Sequence, residues 1–88
     1  MIRKHIFFSG RVQGVGFRYR AYYIARSLRL TGWVKNLWDD RVEMEVQGPE
    51  RDIEQLLKQL KEQRFIEIDH MEITEIPCES EYDFEITN

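Results

Sequence analysis

Eighty-eight residues confine this chain to one small domain, residues 1–88, and a content of 42% hydrophobic and 33% charged residues is that of an ordinary globular chain. No apolar run approaches a bilayer span, the apolar run of the basic N-terminus (Ile6-Phe7-Phe8) is too short for a signal peptide, and the single Cys78 excludes an internal disulfide. A cytoplasmic protein with no membrane partner is therefore expected. The net charge of −3 is unevenly spread: residues 1–38 hold eight basic residues and no acid, whereas residues 39–88 hold five basic residues and all sixteen acids. The basic half suits a phosphorylated ligand or nucleic acid. The acidic half opposes a long polyanion unless the two halves lie on opposite faces.

In chain order, residues 4–12 place Ile6, Phe8 and Val12 on one face and His5, Phe7, Ser9 and Arg11 on the other, which predicts a strand. Phe17, Ala21, Ile24, Ala25 and Leu28 recur at helical spacing, which predicts a helix over 18–28, with Gly32 as the turn residue after it. Residues 33–37 and 41–47 read as a hairpin around the turn Trp38-Asp39-Asp40. Pro49, Glu50 and Asp52 begin a second helix over 50–63, with Ile53, Leu56, Leu57 and Leu60 as its buried stripe and Lys58, Lys61 and Arg64 toward its C-terminal end. Residues 66–76 alternate as a further strand, 77–83 form a polar loop, and Phe84-Glu85-Ile86 closes as a short strand. The order βαββαβ predicts an α+β fold: a ferredoxin-like split βαβ sandwich, an antiparallel sheet with both helices on one face.

The junction between the first strand and the first helix carries the chemistry. Gly14 and Gly16 allow backbone amides to turn inward, the following helix adds free N–H groups, and Arg18 stands in its first turn with a planar fork suited to phosphate oxygens. A dinucleotide fingerprint needs a third glycine where the chain has Tyr19, and no Gly-Lys-Ser/Thr of a P-loop is present. On spacing alone, a glycine-softened turn with a surface arginine stays equally open.

Gly10 through Arg18 resemble the phosphate-binding signature of the acylphosphatase family. Gly32-Trp33-Val34-Lys35-Asn36, followed by Val42 and Gly48, resemble that family's second signature. Both occur in the right order within a chain of matching length. The resemblance implies an enzyme that hydrolyses acyl phosphates to carboxylate and inorganic phosphate. It implies that Arg18 and the backbone amides of Gln13, Gly14, Val15, Gly16 and Phe17 bind the phosphoryl group, and that Asn36 holds the attacking water. No metal or cofactor is expected. A carboxylate leaving group has a conjugate acid of pKa about 4, so it departs without a general acid. The water's proton passes to the substrate's own phosphate oxygen, as the family's mechanism implies. Asn36 is expected to reach the loop because its strand lies beside the first one. Phosphate or sulfate is expected at the loop, with the chain acting as a monomer.

Asp40 departs from the family pattern, which has glycine there; aspartate tolerates a positive φ better than most residues. The terminus Phe84-Glu85-Ile86-Thr87-Asn88 departs as well, lacking a basic residue. Two alternatives share the element order: an RNA-recognition domain, and a non-catalytic phosphate-binding module. The third strand, Arg41-Val42-Glu43-Met44-Glu45-Val46, is acidic and lacks the paired aromatics of the first, so no nucleic-acid partner is expected. His5 and His70 read as structural or surface residues and Cys78, among acids, as an inert thiol.

Overall fold

The computed structural model describes residues 1–88. Its elements are β1 (Ile2–Arg11), α1 (Phe17–Ser27), β2 (Thr31–Asn36), β3 (Val42–Gly48), α2 (Glu50–Lys61), β4 (Glu67–Ile76) and β5 (Phe84–Ile86). Five strands form one sheet in the order β4-β1-β3-β2-β5. Ile6 and Phe8 of β1, Val42, Met44 and Val46 of β3, Val34 of β2 and Phe84 of β5 share one face. With the buried stripes of α1 and α2 they make a single core of 18 buried residues, so both helices cover that face. Burying such a stripe against a sheet is what stabilises helices this short.

Each helix ends for a local reason. α2 follows Pro49, carries Glu50 and Asp52 in its first turn and Lys58 and Lys61 in its last, complementing its dipole at both ends. α1 closes when Leu30 N–H donates to the Ala25 carbonyl at 2.9 Å, with Arg29 left-handed at φ 59°. The turn residue is thus Arg29 rather than Gly32. Gly32 lies within β2, where a Cβ would come 1.9 Å from the Glu45 carbonyl oxygen of β3.

Two expectations about the sheet need correction. The sheet is mixed: β5 runs parallel to β2, pairing Gly32 with Phe84 and Val34 with Ile86. The cause is the route of residues 77–83. β4 and β5 occupy opposite edges, four strand spacings apart, or about 19 Å. Seven residues span at most about 25 Å, so the segment must cross the open face directly. It then enters β5 running opposite to β4, and hence parallel to β2. Nor does β2 lie beside β1. β3 separates them, and Phe8, Val42 and Asn36 form one row across the three strands.

Candidate active site

β1 runs beyond that row into residues 12–16, which fold over the end of the sheet to reach α1. Gly14 and Gly16 are left-handed, at φ 74° and 78°. A Cβ would meet nothing within 4 Å at either position, so backbone conformation and not space calls for glycine. Gly16 also caps α1, which has no side-chain cap and no acid in its first turn. The N–H groups of that turn therefore keep their positive end uncompensated.

A cavity of about 170 Å³ opens here, lined by Val12, Gly14, Gly16, Phe17, Arg18, Tyr19 and Asn36. Arg18 is half-buried and forms no salt bridge, its one side-chain partner being Asn88 Oδ1 at 3.5 Å. Asn36 ends β2, and its Oδ1 is buried with no hydrogen-bond partner in the protein. An unpaired buried acceptor costs about 1–3 kcal/mol. The cavity thus pairs a cation outside any salt bridge with an unpartnered acceptor.

The sequence-predicted residues divide. Gly14, Gly16, Phe17, Arg18 and Asn36 meet around the cavity. The Phe17 side chain is buried against Phe8 with ring centroids 4.8 Å apart, so it can offer only its backbone to a ligand there. Val15 lines a neighbouring cavity with Arg20, Gln63, Arg64, Phe65 and Ile66. Gln13 turns toward the hairpin, its Nε2 donating to the carbonyls of Leu37 at 2.7 Å and Arg41 at 2.9 Å. Tyr19 and Val12 join the lining, and Asn88 donates to the Asn36 carbonyl at 2.9 Å. No sequence signal marks Asn88, because β5 reaches this side only through its parallel pairing with β2. No group of three or more His, Cys, Asp or Glu is arranged so that it could hold a metal ion, and no helix is long and apolar enough to cross a membrane.

The fold and site define a class: an α+β split βαβ sandwich whose first strand-to-helix junction carries a left-handed glycine loop beside an arginine outside any salt bridge. Comparison with known proteins narrows it. The family model described as acylphosphatase matches residues 4–86. An acylphosphatase of Bifidobacterium longum (strain NCC 2705) is 42% identical, over 88% of this chain and 80% of the relative. One of Clostridium perfringens (strain SM101 / Type A) is 45% identical, over 84% of this chain and 88% of the relative. The crystal structure of acylphosphatase from Bacillus subtilis superposes with a TM-score of 0.93 at 37% identity, covering all of both chains. The chain belongs to the acylphosphatase family.

Proposed function

We propose that this chain hydrolyses acyl phosphates to a carboxylate and inorganic phosphate. The observation that carries the reading is the shared cavity of an ion-pair-free Arg18 and an Asn36 with an unpartnered buried oxygen, beside the left-handed Gly14 and Gly16. Arg18 grips two phosphoryl oxygens while backbone amides of residues 13–17 and the first turn of α1 face the others. Asn36 Oδ1 accepts a hydrogen bond from a water and aims it at phosphorus. The P–O bond to the acyl oxygen breaks as the water oxygen bonds to phosphorus. The carboxylate leaves unprotonated, and the water's proton passes to a phosphoryl oxygen. Positioning and charge stabilisation carry most of such a transfer, which is why an arginine, amides and one neutral amide side chain suffice.

The same reading has inorganic phosphate or sulfate binding at the loop, and residues 1–88 acting as one monomeric domain in the cytoplasm. The RNA-binding alternative is not favoured: on the open face, Glu43 and Glu45 of the central strand β3 engage His5, Lys35 and Arg3 rather than presenting aromatic rings. Phosphate release from acetyl phosphate tests the proposal. Wild type is expected to turn over with a chelator present, and Arg18→Ala is expected to lose at least about 10²-fold in rate. An inactive wild type, or a fully active Arg18→Ala, rejects it.

A further inference from the structure

We propose that the side-chain amide of Gln13 is a positioning residue: it bolts the β2–β3 hairpin to the anion loop and so fixes the aim of Asn36. The inference rests on the reading of Asn36 as the water-holding group.

The sheet alone does not bring the two halves of the site together. Asn36 ends β2, the loop continues β1, and β3 lies between them. Two strand spacings, about 10 Å, separate β1 from β2. The β2–β3 ladder holds Asn36 opposite Val42, but no ladder bond joins β2 to residues 12–16. The Gln13 carboxamide supplies the missing link. One N–H of Nε2 points to the Leu37 carbonyl at 2.7 Å and the other to the Arg41 carbonyl at 2.9 Å. The Arg41 carbonyl also accepts the closing bond of the hairpin, from Leu37 N–H at 2.8 Å. A single planar group thus joins the residue before Gly14 to the residue after Asn36 and to the far side of the same turn.

The hairpin keeps its own ladder without this link, so the expected consequence of losing it is a change of tilt and not of fold. Tilt matters for a water that must approach phosphorus in line; displacements near 1 Å can cost about 10²-fold in rate. The chemistry required at position 13 is specific. Both contacts are donations to carbonyl oxygens, and glutamate is nearly isosteric with glutamine but, once ionised, has no proton to donate.

The test compares wild type, Gln13→Ala and Gln13→Glu for kcat on acetyl phosphate, competitive inhibition by inorganic phosphate, and thermal midpoint. Both variants are expected to remain folded, to keep a phosphate inhibition constant within about threefold of wild type, and to lose about 10²-fold in kcat. Gln13→Glu is further expected to gain activity relative to wild type as pH falls. A carboxyl facing two carbonyls takes up a proton more readily than usual, and its O–H restores one donation. Full kcat in a folded Gln13→Ala overturns the proposal, as does a phosphate inhibition constant that weakens in step with kcat. Failure of both variants to fold also overturns it, by making the amide a folding determinant. These results are distinct from an inactive wild type, which would reject the proposed function instead.

Discussion

The Arg3 guanidinium, only 1% exposed, holds the Glu81 carboxylate at 2.7 Å across 78 positions of sequence. Arg3 stands on the open face of β1, and Glu81 belongs to the segment that crosses that face toward β5. Glu45 of β3 sits 2.9 Å away on the same guanidinium, Glu79 lies 3.7 Å away, and Gln47 both accepts from Arg3 and donates to the Glu79 carbonyl. Burial alone would lower the Arg3 pKa. Hydrogen bonds to Glu81 and Glu45, with the nearby negative charge, raise it above the ordinary guanidinium value. A raised pKa contributes stability that is complete below the ordinary value and fades only as pH rises through the folded one. Raising the pH through the working range therefore does not remove it. Arg3→Ala is expected to destabilise the fold by about 3 kcal/mol, because it leaves the crossing acids without their cation. Denaturant unfolding measures this, and a change under about 0.5 kcal/mol, the range of an ordinary surface substitution, would contradict it.

That relationship also marks where the sequence stops being legible. Helical spacing at Phe17, Ala21, Ile24 and Ala25, and at Ile53, Leu56, Leu57 and Leu60, places both helices within a residue or two, because one buried stripe fixes period and face together. Alternation places the strands for the same reason. Arg3, by contrast, reads as one more basic residue of a basic half, because its acids come from a loop with no periodicity. Three residues, Phe84 to Ile86, carry no information on strand direction, so the parallel pairing is invisible. At the site, the glycines point to the loop because backbone conformation is written in residue type at those positions. The link from Gln13 is not written that way: a polar side chain in a loop has many carbonyls it could meet, and only the assembled hairpin selects two.

The hairpin turn offers a pH-dependent prediction. Asp39 accepts from Arg41 Nε at 2.8 Å and from Arg41 N–H at 3.3 Å. Partial loss of hydration is the largest single influence on its carboxyl and raises the pKa. The side-chain and main-chain bonds from Arg41, with its charge, outweigh it and leave the value below the ordinary aspartate range. The contribution is therefore present above the ordinary aspartate value and is lost as pH falls through the depressed one. Asp39→Asn should be less stable than wild type at neutral pH, with the gap closing in strong acid. Denaturant midpoints across a pH series check it, and a gap that widens toward acid contradicts it.

Asp40 follows in the same turn, left-handed at φ 72°. For most residues that conformation costs about 1–2 kcal/mol, and aspartate suffers less. Asp40→Gly should therefore gain no more than about 1 kcal/mol, since glycine also frees the unfolded chain. Asp40→Val should lose stability, because a β-branched residue resists positive φ. Unfolding curves of the three proteins settle the ranking, and a valine variant as stable as the glycine variant would refute it.

The last prediction separates the two halves of the cavity. Arg18 and Asn36 line it together, but only Arg18 carries charge. If Arg18 grips the phosphoryl group, Arg18→Ala should lose both competitive inhibition by phosphate and turnover. Arg18→Lys should not restore them, because a point charge cannot make the two-toothed contact of a guanidinium. Asn36 has a different task. In the proposed mechanism its buried oxygen, which has no partner in the fold, holds the water, so Asn36→Ala removes that acceptor while Arg18 stays in place. Turnover should fall by about 10²-fold or more while the phosphate inhibition constant stays nearly unchanged. Substrate choice follows from the lining, which contains no carboxylic acid and no histidine to protonate a leaving group. An alkyl phosphate monoester expels an alkoxide far more basic than a carboxylate, so its hydrolysis should be slower by orders of magnitude. Parallel assays of wild type, Arg18→Ala, Arg18→Lys and Asn36→Ala on acetyl phosphate and on an alkyl monoester, each with phosphate inhibition, test the scheme. Equal rates on the two substrate types, or loss of phosphate inhibition in Asn36→Ala, would show that the cavity does not divide its labour this way.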